Sequence, residues 1–184
     1  MLEIVIPDRE LYDEKNEEFI TVKGAKLQLE HSLVSISKWE AKWHVPFFSK
    51  ENKTREQTLD YVKCMTLTKN VDDSVYKYIP DNVLDEISEY MENPMTATWF
   101  AEDRNKNKSK KQSKEIVTSE LVYCWMTQLN IPTEYQKWHF NRLITLIRVC
   151  SEKNSPDKKM SKKELAERNH SINAARRAAH RSKG

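Results

Sequence analysis

Only two of the 184 residues are glycine, Gly24 and Gly184. Ordinary chains contain about 7% glycine, so this one has roughly a sixth of the usual share. Glycine lets backbone N–H groups approach a phosphate closely and lets the chain take positive φ without strain. A glycine-rich phosphate loop or a dinucleotide-binding turn therefore cannot be built here, which excludes the enzymes that depend on them for ATP, GTP or NAD.

One place where glycine is used sits between two strand-like runs. Leu2, Ile4 and Ile6 alternate with Glu3 and Val5, and Phe19 to Lys23 and Lys26 to Glu30 flank Gly24-Ala25. Glycine at the first central position of a two-residue turn suits a type II′ hairpin. Residues 1–30 are thus expected to form a small antiparallel hairpin or sheet.

From residue 31 the apolar period becomes helical. Ser32 is placed to cap a helix carrying Ile36, Trp39 and Trp43 on one face, and Pro46 prevents its continuation. Thr54 to Gln57 has capping-box spacing ahead of Leu59, Val62 and Met65. Asp81 opens a third helix with Val83, Leu84, Ile87, Tyr90 and Met91 inward, Asp85, Glu86, Glu89 and Glu92 outward, and Pro94 after it. Residues 31–102 form an acidic helical region.

Residues 103–114 contain no apolar side chain and six basic ones. They cannot bury enough surface to offset the entropy of ordering, and a mobile basic loop is expected. Residues 115–152 are the most apolar stretch, with helices expected near 117–130 and 133–150. A further capping-box pattern spans Thr133 to Gln136. Lys137, Asn141, Thr145, Arg148 and Glu152 make one narrow polar stripe, so the other faces of that helix require covering. The turn at Ile131-Pro132 would fold the two helices into an antiparallel pair completing the core. Residues 153–184 carry 10 Lys and Arg against 3 Asp and Glu, with a capping-box pattern at Ser161 to Glu164. They read as a basic helical or partly disordered tail. The fold class is mainly α: a small N-terminal sheet, a bundle of short helices and a basic C-terminal helix.

Net charge is +3, but its distribution is uneven. Residues 1–102 have 12 Lys and Arg against 20 Asp and Glu, a net of −8, and residues 103–184 have 19 against 8, a net of +11. An acidic body with a basic end can associate head to tail with further copies or dock on a charged partner. No apolar run reaches the roughly 18 to 20 residues of a membrane span, and no apolar leader opens the chain, so a soluble, intracellular protein without a membrane partner is expected.

The reactive side chains do not assemble into a catalytic pattern. Cys64, Cys124 and Cys150 are odd in number, widely spaced and set in apolar segments, which favours buried reduced thiols over disulfides or zinc. His31, His44, His139, His170 and His180 show no paired ligand spacing, and His139 is the one expected to be buried. Arg168-Asn169-His170 lacks the second histidine of a nuclease motif. There is no Gly-x-Ser-x-Gly sequence and no cysteine in a strongly basic neighbourhood. Neither catalytic residues, cofactors nor metals are therefore expected.

Five tryptophans, Trp39, Trp43, Trp99, Trp125 and Trp138, must anchor a core or supply an interface. Trp43 and Trp99 border loops and are the better candidates for an exposed patch, and Trp125 and Trp138 complete the candidate binding set. Lys158, Lys159, Lys162, Lys163, Arg176, Arg177 and Arg181 form a candidate electrostatic arm. The arm could neutralise phosphates, but it has no aromatic residue to stack on bases, so nucleic acid is the less favoured partner.

Several phrases carry a family likeness: Glu30-His31-Ser32-Leu33-Val34-Ser35-Ile36-Ser37-Lys38-Trp39, Met65-Thr66-Leu67-Thr68, Pro94-Met95-Thr96-Ala97-Thr98-Trp99-Phe100, Gln136-Lys137-Trp138-His139 through Arg148-Val149-Cys150, and Lys158-Lys159-Met160-Ser161. Across nearly the whole chain the sequence resembles the tail assembly chaperones encoded in the tail gene clusters of long-tailed bacteriophages and prophages. The resemblance implies an α-rich, non-catalytic protein of the host cytoplasm. It would bind apolar segments of the tape-measure protein during tail assembly, in multiple copies. Some such chaperones also exist in a frameshifted longer form. The alternatives are a virion structural or connector protein of the tail, or a nucleic-acid-binding protein acting through the basic tail.

Overall fold

The computed structural model describes residues 1–13, 17–98, 100, 116–154, 166, 169 and 170. The fold is mainly α with a small antiparallel sheet at its N-terminal end. The chain divides into two compact units, Met1–Cys150 and Ser151–Gly184. In the second unit, residues 151–154, 166, 169 and 170 are helical. The expected basic loop at 103–114 lies outside the described residues, as do all seven cations of the basic arm.

The N-terminal strands differ from the expected hairpin at Gly24-Ala25. Strand β1 (Leu2–Ile6) pairs with β4 (Ala25–Leu29), and β2 (Arg9–Asp13) pairs with β3 (Glu18–Val22). Both ladders follow one register, since Ile6 faces Ala25 and Arg9 faces Val22. They are halves of one long ribbon, interrupted where Pro7-Asp8 runs beside Lys23-Gly24. Proline has no N–H to give the ladder there. Gly24 does not take positive φ. It is needed because a Cβ would collide with Ile6 O and lie 2.7 Å from Pro7 C and Asp8 N. The Gly24 amide instead donates to Asp8 Oδ1 at 2.6 Å. Burial changes strand parity across this break: Val22 is buried on the β2–β3 side and Leu27 and Leu29 on the β1–β4 side.

Local capping sets the first two helices. Helix α1 (Leu33–Trp43) starts at Ser32, whose Oγ accepts from Ser35 N while Ser35 Oγ accepts from Ser32 N. Helix α2 (Arg55–Met65) starts with the expected reciprocal box of Thr54 and Gln57. A short helix α3 (Asp73–Lys77), not foreseen from the pattern, precedes α4 (Asp81–Glu92). Helix α4 buries Val83, Ile87 and Tyr90 and exposes Asp85, Glu86, Glu89 and Glu92, as its amphipathic pattern requires. Between α2 and α3, Thr66 to Thr68 covers the free edge of β4: Leu67 N donates to Gln28 O at 2.8 Å, and Gln28 N to Thr68 Oγ1 at 2.9 Å.

The 117–150 region departs from the expected antiparallel pair. Helix α5 covers Ser119–Gln128 and α6 covers Phe140–Asn154, with a 3-10 helix at Thr133–Lys137 between them. The box at Thr133 to Gln136 does not form. Pro132 occupies the cap position without a side-chain bond, and Gln136 Oε1 instead accepts from the Tyr123 hydroxyl at 2.9 Å. The core also centres elsewhere: Leu33, Ile36 and Trp39 of α1 are almost wholly enclosed, and α2, α5 and the 3-10 helix pack against α1. Helix α1 is short and apolar enough to be covered on several sides, whereas α6 keeps an open face. The thiols differ as well, because Cys124 is exposed while Cys64 and Cys150 are half-buried, all three free.

One buried carboxylate ties this core together. Glu40 of α1 accepts from Phe47 N at 2.7 Å through Oε1 and from Ser119 N at 2.8 Å through Oε2. Ser119 is the first residue of α5, so the negative charge also lies at the positive end of that helix dipole.

Candidate functional site

The polar stripe of α6 is a seat for another segment of the chain. Asn141 Nδ2 donates to Met91 O and to Asn93 O, both at 2.9 Å, which uses both amide protons and holds the end of α4 against α6. Beyond α4 the chain turns: Met95 N donates to Asn93 Oδ1, Met95 takes φ 49°, and Thr98 N donates to Thr96 Oγ1. The Arg148 guanidinium lies 3.7 Å from the centroid of the Phe100 ring. Residues 93–98, with Phe100, thus lie as a strap along α6.

An open groove of about 410 Å³ separates strap and helix. Met95 to Thr98 line one wall, and Trp138, Arg142, Thr145, Leu146 and Val149 line the other. Trp138 is half-buried, with Tyr135 tilted against it at 4.3 Å and the Arg142 guanidinium 4.0 Å from its ring centroid. Cation and aromatic contacts of this kind hold the indole in one orientation. The walls offer apolar surface, a guanidinium and threonine side chains.

The other candidate tryptophans occupy different surroundings. Trp43 is half-buried, and its Nε1 donates to Asp60 Oδ2 at 2.9 Å while Lys42 pairs with the same carboxylate. It clasps α1 to α2, beside Trp39, whose Nε1 donates to Gln57 O. Trp125 packs, half-buried, against the core. Trp99 lies outside the described residues. Among the described residues no ring contact joins Trp43, Trp125 and Trp138. The groove instead brings Trp138 together with Met95 and Arg142, with Asn141 anchoring the strap. The spacing of Asn141 in the polar stripe was the only sign of this arrangement in the sequence.

A second cluster is wholly interior. His139 is buried as expected, and His31 is buried too, which the sequence did not indicate. Their rings meet edge-on at 5.3 Å, in a cage completed by Phe47, Tyr61 and Phe140. His31 Nδ1 hydrogen-bonds the Tyr61 hydroxyl at 2.5 Å, and His139 Nε2 lies 3.1 Å from Tyr90 O. Among the described residues His139 Nδ1 has no hydrogen-bond partner. The Tyr90 hydroxyl donates to Glu30 Oε1 at 2.7 Å.

Burial, reinforced by His139, pushes the His31 pKa down to about 3. Burial lowers that of His139 as well, against the opposing effects of the Tyr90 carbonyl and Glu30. Burial raises both tyrosines, Tyr61 against an opposing bond from Ser35 and Tyr90 with Glu30 adding to the rise. Both imidazoles are therefore neutral near pH 7, and this cluster joins the start of α1 to α2, α4 and α6. Among the described residues no group of three or more His, Cys, Asp or Glu could hold a metal ion. Among them, too, no helix is long and apolar enough to cross a membrane. Compared with known protein families, characterised proteins and solved structures, the chain matches none.

Proposed function

We propose that this chain is a non-enzymatic tail assembly chaperone of a long-tailed bacteriophage or prophage, acting in the host cytoplasm. Its client is the tape-measure protein, and several copies act on each client. The observation that carries the reading is the groove between the strap and α6, with Trp138 held upright by Tyr135 and Arg142. A tape measure is a long helical protein with apolar stripes, and a chaperone for it must hold one such stripe out of water. Helix-in-groove recognition uses apolar anchors at i, i+3, i+4 and i+7 laid into a cleft between elements. Leu146 and Val149, together with Trp138, supply apolar surface along one wall, and Met95 faces them from the strap.

The test is co-expression with the tape-measure protein encoded in the same tail gene cluster. The wild-type chain should keep that protein soluble and co-purify with it. Trp138→Ala should weaken capture by about 30-fold, the effect of losing about 2 kcal/mol at an aromatic anchor. Its circular dichroism should stay that of the wild type, since Trp138 is half-buried at the surface. If the wild-type chain neither solubilises nor retains the tape measure, the reading fails.

A further inference from the structure

Among the described residues, the distal half of the ribbon has an unused edge. Strand β2 is paired with β3 on one side, and no backbone hydrogen bond from outside the ribbon reaches Arg9–Asp13 among the described residues. Exposed edges of this kind are usually protected by charged side chains, lysine above all, by proline or by a bulge. Arg9-Glu10-Leu11-Tyr12-Asp13 has no proline and its ladder with β3 runs without a break, while its charges are of both signs and so repel only a strand whose charges do not alternate with them. Beside the edge, Tyr12 and Phe19 form a cross-strand ring pair at 5.2 Å, yet they are 54% and 73% exposed. The pair leaves apolar surface open to solvent beside that edge.

We propose that the outer edge of β2 pairs with the same edge of a second copy, antiparallel about a two-fold axis at Leu11, making one four-stranded sheet from two ribbons. The strand is charge-complementary to itself in that register and β3 is not. With Leu11 opposite Leu11, Arg9 of each copy stands across from Asp13 of the other, twice per interface. Across a β3–β3 edge centred on Ile20, Glu18 would face Val22.

Surroundings favour the same pairing, because Arg9 borders a depression lined also by Arg55 and Lys77, whose one carboxylate, Asp81, is bonded to Arg55 at 3.1 Å. Arg9 makes no ion pair among the described residues, and a second copy brings it one. An isologous contact closes at two copies. The edge lies on a different element from the α6 groove and does not depend on the client's identity.

The experiment is analytical ultracentrifugation of the full chain over a concentration series, for wild type, Arg9→Asp, Asp13→Arg and an equimolar mixture of the two variants. Opposite charges across strands stabilise and like charges destabilise by about 0.2 to 1 kcal/mol each, so each single variant should dimerise about ten-fold more weakly or worse. The mixture should recover wild-type dimerisation, because each variant supplies the charges that the other lacks. That recovery also shows that both variants are folded. A monomeric wild type, a dimer indifferent to both substitutions, or a mixture that stays monomeric overturns the proposal. So does a β2 edge that pairs only when a client strand is added.

Discussion

Replacing Glu40 by glutamine tests whether one carboxylate couples α1 to α5. The two side chains have nearly the same volume, so packing around Trp39 is preserved and only hydrogen bonding changes. Both Glu40 oxygens accept from backbone N–H groups, those of Phe47 and Ser119. Glutamine has one acceptor, so in either orientation its NH2 faces a donor. One charge-assisted bond of about 1.5 to 3 kcal/mol is then lost, and the other weakens by about 1 kcal/mol as its acceptor becomes neutral. Loss of the favourable charge at the α5 N-terminus adds about 0.3 to 1 kcal/mol.

The expected loss is about 3 to 5 kcal/mol, a large share of the roughly 5 to 15 kcal/mol that stabilises a typical domain. Urea unfolding followed by circular dichroism measures it. Hydrogen exchange at the Ser119 amide should speed up more than exchange in α2, because the Ser119 amide bonds residue 40 directly and in either orientation loses or weakens that bond. A Glu40→Gln midpoint within about 0.5 kcal/mol of wild type would refute the coupling, since that is the range of an inconsequential surface change.

Two further perturbations follow from the fold. The His31 pKa is depressed from 6.5 to about 3, so below pH 6.5 the unfolded chain takes up a proton that the folded chain refuses. Stability is therefore complete above that pH and falls as pH decreases; between pH 7.5 and 5.5 the loss from His31 alone is about 1.4 kcal/mol. His31→Phe should shrink the measured pH-dependent loss by about that amount, and an unchanged slope would remove His31 from the account. Gly24→Ala should cost about 2 kcal/mol or more, because the new methyl meets backbone rather than a movable side chain. Thermal unfolding would show it, and a variant as stable as wild type would mean that the ribbon has room at its break.

What the sequence determined by itself is the part governed by near neighbours. The caps at Ser32 and Thr54 could be read because each bond spans three residues, and the faces of α4 because burial there repeats with the helical turn. The same rule misled at Thr133, where Pro132 and the demand of Tyr123 on Gln136 diverted the pattern into a 3-10 turn. It misled at Gly24 too, since a turn and a close approach of two strands both call for a residue without Cβ, and only the partner strand distinguishes them.

The tertiary structure decided the long-range partnerships. Glu40 looks like a solvated helix charge until Ser119, 79 residues away, arrives with an amide to satisfy. His31 looks like a loop histidine until Tyr61 and His139 enclose it. Asn141 looks like one more polar position until Met91 and Asn93 take both its protons and lay the strap that makes the groove. Spacing along a chain reports which side chains share a face; which groups desolvate one another depends on what folds back from elsewhere, and that desolvation sets the strength of buried polar contacts.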